Sequence, residues 1–199
     1  MCLLAKRVLD AIGAFVLIVC SAPLLLLTAL AVKISSAGPV LFRQVRVGIN
    51  GRKFVMYKFR TMVEGADSIK DKLAGHNEAG TILFKIRHDP RITDIGRILR
   101  RTSLDELPQL WNVLRGEMSL VGPRPPVPSE VLKYTPKMAE RLSIKPGMTG
   151  LWQVSGRSEL SHLRGFAMDL WYVHRKCFIL DCAILVSTIP AVLSRRGAY

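Results

Sequence analysis

Residues 11–32 read AIGAFVLIVCSAPLLLLTALAV, with no charged side chain among them. As a straight helix this run would extend about 33 Å, close to the hydrocarbon thickness of a bilayer. It is too long for the apolar core of a cleaved signal peptide, and no small-x-small cleavage site precedes a mature domain. Pro23 stands at its middle. Proline removes a backbone donor and crowds the carbonyl four residues back, at Val19, so a kink or break is expected there. Lys6 and Arg7 precede the run, and Lys33, Arg43 and Arg46 follow it. Positive charge marks the cytoplasmic side of a membrane segment, and here both flanks carry it. Two readings fit: an ordinary span with a tolerated proline, and a helix that enters, bends at Pro23 and returns. The second satisfies both flanks. It makes residues 1–36 a re-entrant membrane helix broken near Pro23 and leaves 37–199 as the working domain.

The whole chain has 199 residues, enough for one domain with its own core and an appendage. Its net charge of +14 and pI of about 10.2 point to anionic partners: phosphate groups, nucleic acid or anionic lipid. Nucleic acid is disfavoured. No run of five Lys/Arg occurs, aromatics make up only 7%, and no DNA- or RNA-binding motif is present. Cys2, Cys20, Cys177 and Cys182 form no CxxC pair, so neither a disulfide framework nor a zinc site is indicated. The chain lacks GxxxxGK[ST], GxGxxG and HExxH, which removes the P-loop, dinucleotide and zinc-protease classes. His76, His88, His162 and His174 are scattered.

Beyond the apolar run, VLFRQVRV at 40–47 and RKFVMYKF at 52–59 are β-like and joined through Gly48-Ile49-Asn50-Gly51. Asn50-Gly51 is a hairpin turn signal because both residues accept positive φ. A charged helix is expected over 63–73, a loop over 75–80 and a short strand over 83–86. Thr93 to Arg101 reads as a helix capped by Thr93 or Asp94. Ser129 to Leu142 reads as helix with a break near Pro136, and Ser158 to Lys176 as a long amphipathic helix. The segment 178–193, FILDCAILVSTIPAVL, is short for a span and reads as a core or interfacial helix.

Two stretches carry chemistry. In SLDELPQL at 103–110, two adjacent carboxylates sit at an expected helix start, after Arg97, Arg100 and Arg101. If Ser103 caps, Ser103 and Glu106 form a capping box; if Asp105 caps, Pro108 falls in the first turn, where its missing N–H costs nothing. The helix then runs to about Leu114 and stops at Gly116. Either way the helix dipole favours ionised carboxylates at neutral pH. An ionised carboxylate can be a metal ligand or a nucleophile, and carboxylates are known to attack phosphorus. Capping alone also accounts for the pair. In the second stretch, Gly122-Pro123-Arg124-Pro125-Pro126, three prolines order one guanidinium, whose planar fork suits phosphate oxygens. Lys58 and Arg157 could add phosphate contacts.

Taken together these motifs resemble the bacterial sugar transferase family, the monotopic polyprenyl-phosphate phosphoglycosyl transferases. The resemblance rests on Lys6-Arg7-Val8-Leu9-Asp10, Tyr57 to Met62 (YKFRTM), Arg101 to Leu114 (RTSLDELPQLWNVL), Gly122 to Pro125, Lys145 to Leu151 and Ser155-Gly156-Arg157. It implies a small, mostly helical α/β domain with interfacial amphipathic helices and the re-entrant helix broken near Pro23. It implies a catalytic domain over 37–199 that transfers a sugar 1-phosphate from a UDP-sugar to polyprenyl (undecaprenyl) phosphate through an aspartyl phosphosugar, releasing UMP. By this resemblance Asp105 is the nucleophile and lies beside Mg²⁺, Glu106 is its partner, and Lys58, Arg100, Arg124 and Arg157 meet the substrate phosphates. The implied partners are the UDP-sugar, the lipid acceptor and the bilayer of the bacterial inner membrane, with the site on its cytoplasmic face; a homo-oligomer is compatible. The segment after Met62 and the ending Arg196-Gly197-Ala198-Tyr199 resemble the exopolysaccharide branch.

Overall fold

The computed structural model describes residues 3–66, 68, 86, 89–156 and 160–194. The expected loop at 75–80, the second half of the expected helix over 63–73 and all but residue 86 of the expected strand lie outside those residues. The fold is mostly helical, with two small two-stranded sheets.

Helix α1 (Leu3–Ser35) runs as one element with Pro23 inside it. Its backbone does not break at the proline. The Ser21 hydroxyl donates to the Leu17 carbonyl at 2.6 Å, so this side chain satisfies its polar group within the helix. A single stripe of α1 packs on the domain. Ala14 and Ile18 join a cluster with Phe54, Met56, Leu110 and Val113, whereas Leu25, Ala29 and Val32 join Phe59 and Leu99. The rest of its surface is apolar and bare: Leu26 is 72% exposed and Ile34 76%. Only 11% of its most apolar window is buried, which separates it from the core helix of a soluble protein.

Both ends of α1 are tied to the same domain. Lys6 Nζ bonds Asp181 Oδ2 at 2.7 Å, and Arg7 donates to the carbonyls of Val113 and Leu114. At the other end Arg60 Nη2 donates to the Ser36 carbonyl at 2.7 Å and to that of Val32 at 3.3 Å. Arg7 and Arg60 thus each donate to carbonyls at a helix C-terminus, where the backbone ladder ends.

Strand β1 (Leu41–Val47) pairs antiparallel with β2 (Lys53–Phe59), Leu41 opposite Phe59 and Val47 opposite Lys53. The turn has Asn50 at φ 53° and Gly51 at φ 77°, as the Asn-Gly signal requires. The period of two puts Arg46 and Lys58 on one face with Phe54 and Met56. Helix α2 (Asp94–Thr102) is capped by Thr93, whose Oγ1 accepts from Gly96 N at 2.9 Å. Gly96 lies so close to β2's exit that a Cβ there would sit 2.1 Å from the Thr61 carbonyl oxygen.

Helix α3 (Gln109–Arg115) ends on Gly116 at φ 79°. Strand β3 (Ser119–Val121) leads into the Pro-Arg-Pro loop and pairs parallel with β4 (Gly147–Thr149). Between them lie two single-turn helices, α4 (Pro128–Val131) and α5 (Pro136–Ala139), and a 3₁₀ turn at Glu140–Ser143. The expected helix over 129–142 is therefore divided, because Pro136 starts a turn and cannot continue one. Short α6 (Leu151–Val154) follows. Helix α7 (His162–Arg175) starts four residues later than expected, with Ser161 as its cap. Helix α8 (Phe178–Leu193) carries bare apolar residues such as Ile179, 79% exposed, beside buried Asp181.

Candidate active site

Asn112 sets the site by joining α3 to the edge of β2. Fully buried, it accepts from Tyr57 N at 3.2 Å and donates to the Val55 carbonyl at 2.7 Å. One amide side chain thereby replaces a ladder partner along β2. The same contact fixes where the turn before α3 meets Lys58.

That turn holds the carboxylate pair. Leu104–Glu106 is a 3₁₀ turn, entered through Ser103 at φ 57°. This corrects the reading of Asp105 or Ser103 as the cap of a helix running from the dyad to Leu114. Ser103 N donates back to the Arg100 and Leu99 carbonyls, so it closes α2 instead. Pro108 has no N–H to continue the backbone ladder, and α3 begins only at Gln109. Asp105 therefore lies between the end of one helix and the start of a short one, without a full dipole behind it.

The electrostatics follow from that position. Asp105 is 7% exposed. Burial pushes its pKa up to about 6, opposed by Lys58 and Arg100 and reinforced by Glu106. The expected depression by the helix dipole is absent, and desolvation wins. A pKa of about 6 still lies below neutral pH, so the anionic form remains the major one there. Lys58 Nζ bonds Glu106 Oε1 at 2.6 Å. Arg100 Nε donates to Thr61 Oγ1 at 2.9 Å, which aims it back toward β2's exit. Burial lowers the Arg100 pKa, and Asp105 is the largest opposing influence.

The fold thus brings Asp105, Glu106, Lys58 and Arg100 together, as read from the motifs. Arg124 joins them through Arg46. Arg124 Nη1 meets Glu130 Oε2 at 3.3 Å, and Arg46 Nη1 donates to the Pro125 carbonyl at 2.8 Å. Burial, and then the Arg124 charge, lowers the Arg46 pKa, while Glu130 and Glu106 raise it, so the two clusters feel one another. Arg157 lies outside the described residues. Arg46, Glu130 and Asn112 were missed from sequence. For Arg46 a signal existed: in the hairpin register set by Asn50-Gly51 it shares a face with Lys58.

Among the described residues no three His, Cys, Asp or Glu side chains converge on one point. Mg²⁺ does not need such a cage, because it binds through one or two carboxylates plus substrate phosphates and water. A buried anionic Asp105 beside Glu106 fits that donor set.

The bacterial sugar transferase family profile matches residues 1–195. The chain belongs to the bacterial sugar transferase family. The galactosyl transferase CpsE of Streptococcus agalactiae is 45% identical over 98% of this chain but 44% of its own length. The exopolysaccharide production protein ExoY of Rhizobium meliloti is 42% identical over 98% of this chain and 88% of its own length. The UDP-glucose:undecaprenyl-phosphate glucose-1-phosphate transferase of Caulobacter vibrioides is 43% identical, over 98% of this chain and 72% of its length. This sugar transferase thus spans less than half of one such relative and most of the other two.

Proposed function

We propose that this sugar transferase moves a sugar 1-phosphate from a UDP-sugar to polyprenyl phosphate, as the first step of exopolysaccharide synthesis. The observation that carries the reading is Asp105: a buried carboxylate, anionic at neutral pH, within the fields of Lys58 and Arg100. The names of the relatives supply the substrate classes: a nucleotide sugar and a polyprenyl phosphate for one, exopolysaccharide production for another.

Asp105 attacks the sugar-bearing phosphorus. The bond from that phosphorus to the UMP oxygen breaks, and its electron pair leaves with UMP. The new Asp105–phosphorus bond holds the phosphosugar until an oxygen of the lipid phosphate attacks and frees the carboxylate. Lys58, Arg100 and Arg124 carry the charge complementary to the diphosphate, and Arg157 adds to it. Mg²⁺, held by Asp105 with Glu106 beside it, would neutralise phosphate charge at the reacting centre.

The acceptor is membrane-embedded, which gives α1 its purpose. Both termini of α1 are bonded to one domain, and a helix so tied cannot place that domain on one side and its own far end on the other. That supports a segment that stays on one side of the inner membrane, with the site on the cytoplasmic face; the bend near Pro23 is no part of this support, because α1 is unbroken there. The bare apolar surfaces of α1 and α8 lie in or on the lipid.

The test is UMP release from a panel of UDP-sugars, with and without polyprenyl phosphate and Mg²⁺. Release that needs the chain, and lipid-linked product that needs the acceptor, are expected. No release from any UDP-sugar sinks the reading.

A further inference from the structure

Pro123, Pro125 and Pro126 have no backbone N–H, so the loop carrying Arg124 must be held mainly through its carbonyls. Each has an outside donor. Pro123 O accepts from Gly147 N at 2.9 Å, Pro125 O from Arg46 Nη1 at 2.8 Å and Pro126 O from Val47 N at 2.9 Å. The Arg124 carbonyl accepts from Arg141 Nη2 at 3.2 Å. The Val121 carbonyl, at the loop's entrance, lies 3.2 Å from the Tyr172 hydroxyl, whose single proton is shared between that carbonyl and Asp181 Oδ1, the nearer acceptor at 2.6 Å.

Arg141 is itself clamped. Its Nη2 also bonds Asp169 Oδ2, its Nη1 donates to Tyr134 Oη at 3.0 Å, and the guanidinium lies 4.4 Å from the Phe166 ring centre. Asp169 and Tyr172 are both 1% exposed and three residues apart on α7, hence on one face. That face reaches the loop's entrance through Tyr172 and its middle, at Arg124, through Arg141.

A contribution to stability does not explain this arrangement. A buried ion pair is often no more stable than apolar residues of the same volume. Here Arg141 Nε and Asp169 Oδ1 have no hydrogen-bond partner, so the pair is not even fully satisfied. What it supplies is direction.

We propose that Asp169, Arg141 and Tyr172 are positioning residues that set the Arg124 guanidinium for a nucleoside diphosphate. This rests on the functional reading above. None of the three needs to touch substrate.

The full-length chain in detergent tests it with Arg141→Lys, which keeps the charge facing Asp169 but loses the forked second donor, and with Tyr172→Phe, which removes only a hydroxyl. UDP binding should weaken, and KM for the UDP-sugar should rise, by about tenfold in each variant. KM for polyprenyl phosphate should hardly move, and any fall in melting temperature from the bond lost to Asp181 or Asp169 should leave both variants folded at the assay temperature. Unchanged UDP affinity in both folded variants overturns the proposal. Equal weakening toward both substrates overturns it as well, because that is a general loss of structure. Wild-type chain that binds UDP yet releases no UMP removes the functional reading alone, and the UDP affinities of the variants still decide this one. Wild-type chain that does not bind UDP removes both.

Discussion

Lys58 Nζ sits 2.6 Å from Glu106 Oε1, and the same ammonium is the strongest influence holding down the pKa of buried Asp105. One cation thus serves both carboxylates of the dyad. The ionisation of Asp105 can therefore be tuned from either side without touching it. Lys58→Met should move the acid limb of the kcat/KM profile to higher pH, and Glu106→Gln should move it to lower pH. The wild-type limb should lie near pH 6, with activity lost as pH falls through it. Stopped-assay profiles from pH 5 to 8 would check this, and shifts in the same direction for both variants would contradict the shared-cation picture.

Asp105→Asn separates chemistry from stability. The variant should release no UMP and form no phosphosugar adduct by intact mass; an adduct in Asp105→Asn would falsify the nucleophile assignment. It should also be more stable at neutral pH. The folded pKa of about 6 lies above the unfolded value near 3.9, so the native state binds the extra proton between them. Stability from this group falls as pH rises from about 4 to about 6 and stays lower above. Removing the charge should recover on the order of 2 kcal/mol at pH 7.5, roughly 4–8 °C in melting temperature, and almost nothing at pH 4.

Asn112→Ala should lower the melting temperature by about 5–10 °C, because it strands buried backbone groups of β2 at a cost of roughly 2–3 kcal/mol. Lys58 rides on that strand two residues from Met56, so turnover should fall in the protein that remains folded. Differential scanning fluorimetry in detergent with a parallel UMP assay reads both. A variant with wild-type stability would show that the Asn112 bonds to Tyr57 and Val55 are dispensable.

Leu4→Cys and Ser35→Cys, in a background with the four natural cysteines replaced by serine, report the topology of α1. An impermeant thiol reagent should label both positions in inverted inner-membrane vesicles and neither in right-side-out ones. Labelling at opposite faces would establish an ordinary span and would require Lys6–Asp181 or Arg60–Ser36 to open in the membrane.

Local sequence was enough for elements whose cause is local. The Asn50-Gly51 turn, the Thr93 cap, the Gly116 stop and the bounds of α8 each depend on neighbours within a few residues. The dyad, the Pro-Arg-Pro loop and the apolar run were visible for the same reason, as runs of chemistry that stand out on their own. The helix at the dyad was misjudged because two adjacent elements competed for Ser103, and α2's need to close prevailed over α3's need to begin. The break near Pro136 was legible because proline starts a turn and cannot continue one; what was not legible is that the two pieces are single turns.

By itself the sequence determined that this protein has an apolar helix of bilayer length, an excess of cationic side chains and an adjacent carboxylate pair, since composition and spacing carry those properties directly. Only the tertiary structure decided that the Asp105 pKa rises instead of falling, and how Arg124 is supported. The first depends on how much water the fold removes around a carboxylate, and desolvation here overcame the cations beside it. The second depends on carbonyls gripped by Arg46, Arg141 and Tyr172, which lie from 17 to 79 residues away along the chain. No pattern of neighbours encodes contacts of that range; they exist only once α7 and the hairpin have closed on the loop.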